Sequence, residues 1–290
     1  RTCPPRACGS VGGMTWLALE KVFLWFLLYS FVGWLWETVL NIVMKKRFVD
    51  RGILNGPICP IYGFGALLAI YALPGEHSVV AIFLSSGVLC CTLEYFTSWA
   101  IEKLFHMRLW DYSGKPFNLN GRVYLNGFLF FAAGCTVVKL WVQPHVMDML
   151  NAIDPRTITI LAVTLLVVLL ADAAVTLAGL TSLNSRLGHA EQDIKALKAR
   201  GIAHIDVGIT AADKRIGSAE TRITTACAQI AARAQTDGEA LAAHVAHLFD
   251  WQQRRLIRAY PGMRTEHGEG LLAEVRAQFD RARHAHTNTK

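Results

Sequence analysis

Residues 22–44 read VFLWFLLYSFVGWLWETVLNIVM, and Glu37 is the one charged side chain among them. A helix that crosses a bilayer needs about 20 mostly apolar residues, whereas a helix on a soluble core keeps a polar face. This run is long enough and apolar on all sides, so it reads as a membrane span.

Four more apolar stretches follow it. They are 58–73 (ICPIYGFGALLAIYAL), 78–101 (SVVAIFLSSGVLCCTLEYFTSWAI), 124–142 (YLNGFLFFAAGCTVVKLWV) and 157–180 (TITILAVTLLVVLLADAAVTLAGL). The first of these is short and interrupted by Pro60, Gly63 and Gly65. Across 290 residues the chain is 53% hydrophobic and 18% charged, and its charge is sparse until about residue 180. The expected fold class is an all-α integral membrane protein with about five transmembrane helices, the second short and Pro/Gly-broken, followed by a helical tail.

Lys and Arg collect on the cytoplasmic side of membrane proteins. Lys45, Lys46, Arg47 and Arg51 lie in the first connector, and Lys103, Arg108, Lys115 and Arg122 in the third. Arg186, Lys195, Lys198 and Arg200 follow the fifth run, while the second connector is only PGEH. Five crossings of a plasma membrane, with the N-terminus outside and the tail in the cytoplasm, put all three basic segments on one side. Trp16 and Trp141 then anchor the outer interface, and Trp99 and Trp110 the inner one. The net charge of +7 is accounted for by this asymmetry and the tail, and nucleic acid is not an expected partner.

The chain divides into residues 1–13, 14–180 and 181–290. The head RTCPPRACGSVGG has no pattern for packing and precedes Met14, so it reads as disordered or as sequence upstream of a start at Met14. In the tail, Ile202, Ile205, Ile209, Ala212, Ile216, Ala219, Ile223, Ala226 and Ile230 alternate spacings of three and four. That is a heptad seam over about 202–230, suited to self-association, to folding back on another helix, or to one amphipathic helix on a membrane or partner. A second amphipathic segment, LAAHVAHLFDWQQRRLIRAY, is broken by YPGM. Cys59, Cys90, Cys91 and Cys135 read as small buried thiols. Neither they nor the tail histidines have metal-ligand spacing, and no cofactor is expected.

Three features carry chemistry. Glu37 and Glu94 are carboxylates within spans, which are costly there and face a bundle interior or a watery cavity; Asn41 is one turn from Glu37 on the same face. Asp172 and Lys139, in the fifth and fourth runs, are candidates to pair, although Lys139 can also snorkel outward. The second feature is DRGILNGPICPIYGFG (50–65), where Arg51, Asn55, Pro57, Pro60 and Tyr62 sit among four glycines. It reads either as a ligand-holding broken helix or as a loop before a kinked helix. It is no phosphate-binding loop, because the G-x-x-x-x-G-K-[ST] spacing is absent.

The third is LFHMRLWDYSGKPFNLNGR (104–122), with His106, Arg108, Trp110, Asp111, Tyr112, Asn118, Asn120 and Arg122. Ser113–Pro116 and Asn120-Gly121 read as turns, so an interfacial hairpin or short re-entrant segment fits. Trp110 and Tyr112 suit the headgroup layer, and Arg108, Lys115 and Arg122 suit phosphates.

FLLYSFVGWLWETV, RGILNGPICPIYGFGALL, LEYFTSWAIEKLFHMRLWDYS and FNLNGRVYLNG together resemble the putative ABC-transporter type IV, or CmpB-like, membrane proteins, over about residues 20–180. The resemblance implies a permease-like component working with an ATPase in trans. It also points to Glu37, Arg51, Gly52, Gly56, Pro57, Pro60, Tyr62, Gly63, Glu94, Glu102, Trp110, Asp111, Tyr112, Asn118, Asn120, Gly121 and Arg122. Two other functions are open at this point: a scaffold that assembles partners through the tail, and an intramembrane lipid-headgroup binder or enzyme using Glu37, Glu94, His106 and Asp111 for proton transfer.

Overall fold

A computed structural model describes residues 10–46, 52–213 and 249–265, together with Leu272 and Arg276. Arg51 lies outside the described residues, as do Ile216, Ile223 and Ile230 of the seam; Ile202, Ile205 and Ile209 fall on helical backbone. By packing the chain divides into two units, Arg1–Ala178 with Ala259–Arg264, and Gly179–Arg258 with Thr265–Lys290.

The first unit is helical in the pattern of the apolar runs. Helix α1 covers Ser10–Lys45, α2 Pro60–Ala72 and α3 Val79–Phe105. A connector holds β1 (Met107–Arg108), β2 (Asn118–Leu119) and β3 (Val123–Tyr124), and α4 (Leu125–Val137) and α5 (Gln143–Asn151) follow, joined by a π-helical turn, Val138–Val142. Helix α6, Pro155–Asp213, begins here. Four segments are long and apolar enough to cross a membrane: Trp16–Met44, Val79–Phe105, Leu125–Asn151 and Pro155–His189. The chain is an all-α membrane protein.

Helix α2 is the exception in length. Its 13 residues span about 20 Å at 1.5 Å each, less than the roughly 30 Å hydrocarbon core. Pro60 opens it at a position where its missing N–H is no loss, and the Cys59 N–H donates to Ser30 O at 3.0 Å, stitching the entry to α1. At its far end Lys139 Nζ donates to Leu73 O at 2.6 Å. The helix C-terminus is thus capped by a cation, which its orphan carbonyls and dipole favour.

Lys139 stands in the π-helical turn, where Gln143 N–H reaches back five residues to Val138 O. Pro144 follows, and a proline inside a helix removes one hydrogen bond and crowds the preceding turn; a π turn is one way to absorb this. The fourth apolar run, expected to end at 142, therefore continues helically to Asn151.

Two clusters fix the packing. Leu24, Val146, Leu150, Ile158 and Ala162 bury against one another among α1, α5 and α6. Around them Tyr29 OH donates to Gln143 Oε1 at 2.6 Å, and Lys21 Nζ to Asn151 Oδ1 at 2.7 Å. Ala69, Cys90 and Cys135 join α2, α3 and α4, with the two thiol sulfurs 3.5 Å apart. Between α1 and α2 the approach is closer still: a Cβ on Gly33 would strike the Tyr62 ring, and one on Gly63 would strike Ser30 and the Phe26 carbonyl. Small residues at such crossings let backbones meet.

In the second unit α6 runs on through residues where the composition turns polar, because SLNSRLGHAEQDIKALKAR is rich in good helix formers. The change at 181 is a change of surroundings and not a break in the helix. Helix α7, Trp251–Ala259, buries Leu256 and Ile257 and is the observed part of the second amphipathic segment. Gln253 N–H donates to Asp250 Oδ1 at 3.1 Å and Asp250 N–H to Gln253 Oε1 at 3.3 Å, a reciprocal N-terminal cap.

Candidate functional site

Helix α3 ends at His106, which takes a left-handed φ of 52° while its N–H bonds Glu102 O. The chain then folds into a hairpin, with Asn118 opposite Tyr124 and Leu119 opposite Val123. Asn120 (φ 54°) and Gly121 (φ 66°) turn it, and Arg122 N–H closes the turn on Leu119 O at 3.0 Å. Two consecutive positive φ values are what a tight hairpin of right-twisted strands requires.

Most polar side chains of the connector build this hairpin. Asn118 Nδ2 donates to Ser113 O and Lys115 O, and its Oδ1 accepts Gly121 N–H at 3.0 Å. Asn120 Nδ2 reaches Tyr95 OH at 2.9 Å. Trp110 Nε1 donates to Arg122 O at 3.0 Å, so its indole braces the connector. Asp111 Oδ1 accepts the Ser113 hydroxyl at 2.6 Å and the Ser113 N–H at 3.1 Å, and its Oδ2 meets Arg264 at 2.8 Å. Partial burial disfavours its charge, but the Ser113 donors and the Arg264 and Arg108 guanidiniums outweigh that and hold the carboxyl below the usual range.

Glu102 anchors both arginines. Its Oε2 receives Arg122 Nη2 at 2.6 Å and Arg108 Nε and Nη2 at 3.1 Å each. Arg122, only 7% exposed, also donates to Ser98 Oγ at 3.1 Å and lies over the Tyr95 ring at 5.5 Å. Arg108 adds Asn120 O at 3.2 Å. The two guanidiniums expected to hold phosphates are thus ion-paired and hydrogen-bonded within the fold.

The broken segment is held by α6. Asp172 Oδ1 accepts from Asn55 N and Nδ2 at 2.9 Å each, and Oδ2 accepts Gly56 N–H at 2.8 Å; Thr176 Oγ1 adds a bond at 3.3 Å. Asp172 and Lys139 do not pair. Each satisfies backbone groups of the irregular chain flanking α2, as backbone at membrane depth requires. Pro57 is exposed, and Pro60 serves as the helix opener.

The two span glutamates come together. Tyr62 OH donates to Glu37 Oε1 at 2.7 Å, the Tyr112 phenol lies against the Glu94 carboxyl, and the two carboxyls act electrostatically on each other. The Tyr112 and Tyr124 rings are 4.5 Å apart beside them. Glu94 is 6% exposed, and its Oε2 has no hydrogen-bond partner. Asn41 is buried but bonds back to Glu37 O on its own helix at 2.7 Å.

The structure thus joins Glu37, Tyr62, Glu94 and Tyr112 into one cluster beneath the connector. His106, Arg108, Trp110, Asp111, Asn118, Asn120 and Arg122 form the connector's frame. Sequence reasoning passed over Tyr95 and Ser98, reached Glu102 only through the family resemblance, and saw Asp172 but not its partners. Glu102 had a signal of its own, an acid at a helix end between two arginine-bearing turns. Among the described residues no group of three or more His, Cys, Asp or Glu is placed to hold a metal ion.

The sequence model of the family described as putative ABC-transporter type IV matches residues 24–177. No curated protein and no solved structure matches the chain.

Proposed function

The chain belongs to the putative ABC-transporter type IV family, and on that premise we propose that it is a multi-pass, permease-like membrane component served by an ATPase bound in trans. The observation that carries this reading is the Glu37–Tyr62 and Glu94–Tyr112 cluster. Ionisable groups inside spans mark solute and ion pathways, and these lie beside a broken segment of the kind that transporters place at their binding sites.

The basic segments give the orientation. Counting the short α2 as a crossing puts the first and third connectors and the tail on the cytoplasmic side, with the N-terminus outside a plasma membrane. The hairpin then faces the compartment where ATP is found. Its tip presents Phe117 at 82% and Leu119 at 60% exposure on a frame stiffened by Glu102 and Asn118, which suits docking of a partner domain. Residues 14–180 are the transport domain in this reading, and residues 181–290 are a cytoplasmic tail whose isoleucine seam serves self-association.

The test is affinity purification of the full chain from native membranes. An ATPase should copurify, and its loss should follow substitution of Phe117 and Leu119 by Ser. Recovery of no ATPase, with cellular function indifferent to Walker-lysine variants of every candidate, would overturn the reading.

A further inference from the structure

We propose that Glu37 and Glu94 form a binding site for one monovalent cation, with Glu94 Oε2 as its open ligand. The inference deepens the permease-like reading, since it names the kind of charge the inner-half site would carry.

Three observations support it. Glu94 is nine-tenths buried, yet Oε2 is bonded to nothing. A carboxylate oxygen at membrane depth is costly unless something positive or proton-donating meets it. Asp172, by contrast, receives hydrogen bonds on both its oxygens. Next, the charge does not balance: two carboxyls interact, and among the described residues no Lys or Arg pairs with either. Arg108 and Arg122 are held by Glu102 instead. Finally, the walls suit a small cation. Oε2 looks toward Gly127, where an added Cβ would stand 3.9 Å from it and 3.4 Å from the Tyr124 ring. A carboxylate oxygen in this setting attracts positive charge.

The groups facing Glu94 are Glu37 of α1, Tyr112 of the connector, Tyr124 at the start of α4, and Cys90 and Cys91 of its own helix; Tyr62 of α2 reaches the site through Glu37. None is a cation. The Tyr62 phenol bonds Glu37, while Glu94 Oε2 stays open with no cation bonded to it among the described residues. A divalent ion such as calcium takes six to eight oxygens, more than this set offers. The occupant is a proton on Glu94 Oε2, or an alkali or ammonium ion that displaces it; the proton then leaves to cytoplasmic water.

The experiment uses the full chain in phospholipid nanodiscs. Infrared difference spectra follow the protonated-carboxyl band between about pH 5 and pH 9, and thermal unfolding is recorded in sodium, potassium, lithium and methylammonium chlorides at constant ionic strength. A band that titrates identifies the proton; a cation-specific rise in melting temperature identifies an alkali or ammonium ion. Either response should vanish in Glu94→Gln. Gly127→Ala adds a methyl group beside Oε2 without a clash and should weaken cation affinity about tenfold, roughly 1.4 kcal/mol. It also carries the test if Glu94→Gln fails to fold. A band fixed at all pH values together with indifference to every cation overturns the inference, as does a response that Glu94→Gln leaves intact. A responsive chain that recovers no ATPase would refute the permease-like reading alone, and an unresponsive chain that copurifies with one would refute this inference alone.

Discussion

Asp172 on α6 accepts the Gly56 N–H at 2.8 Å through one oxygen and two Asn55 donors at 2.9 Å through the other. One carboxylate therefore holds a turn of irregular backbone that has no ladder of its own. Asp172→Asn keeps the shape but turns one acceptor into a donor, so either Gly56 or Asn55 loses its partner. Hydrogen bonds to charged groups contribute about 1.5–3 kcal/mol, and a loss of about that size is expected in thermal unfolding. Protease access to residues 52–59 should rise with it. Thr176→Val, which removes only the 3.3 Å bond, should cost less than about 1 kcal/mol.

Glu102 is the acid that bridges Arg108 and Arg122. Removing it leaves Arg122 nearly buried with its charge uncompensated, the situation in which breaking a buried pair costs about 3–5 kcal/mol. Glu102 itself is partly exposed, so Glu102→Gln should cost less, about 2 kcal/mol. Arg122→Lys keeps the charge but loses the simultaneous reach to Glu102 and Ser98 and the stacking on Tyr95, and should recover little of the connector's order. Hydrogen exchange at the Gly121 and Arg122 amides reads both outcomes.

What could be read from the sequence follows from what each signal depends on. Apolar length is a property of one segment, so the long spans were visible, as was the shortness of the run opened by Pro60. Asn120-Gly121 announced its turn because few residues tolerate two positive φ values. Partners were not visible. Lys139 and Asp172 looked like a pair because charge is written in the sequence, whereas their actual partners, the Leu73 carbonyl and the Asn55 and Gly56 amides, are backbone groups that every residue carries. Arg108 and Arg122 looked like phosphate ligands for the same reason: the letters show two cations but not that Glu102 folds back between them. Helix α6 outran its apolar stretch because continuing a hydrogen-bonded helix through good helix formers needs no membrane.

The connector should be acid-sensitive through Asp111. Its carboxyl is held below the usual range in the folded chain, so its contribution is fully present above about pH 4, the unfolded value, and is lost as pH falls through the lower folded value. Asp111→Asn removes that contribution at every pH. The variant should therefore be less stable than the parent at neutral pH, with the gap closing in strong acid. Unfolding curves of both proteins at a series of pH values give the result, and a gap that stays constant down to about pH 2 would exclude the proposed ionisation.

Gly33 and Gly63 set the distance between α1 and α2, and that distance places Tyr62 on Glu37. A methyl group at Gly33 would occupy the Tyr62 ring position, and one at Gly63 would meet Ser30 and the backbone oxygen of Phe26. Overpacking of this kind costs about 1–3 kcal/mol, with the upper end expected at Gly63, where backbone must move. Gly33→Ala has a second consequence, because Tyr62 must swing and release Glu37 Oε1. Tyr62→Phe should match its functional effect while preserving more stability, since the helix contact remains. Gly134, on an exposed helix face with nothing within 4 Å of an added Cβ, serves as the control; Gly134→Ala should be neutral or stabilising by up to about 1 kcal/mol. Melting temperatures of the four variants, compared with their function in cells, separate the packing role of the glycines from the placement of the Tyr62 hydroxyl.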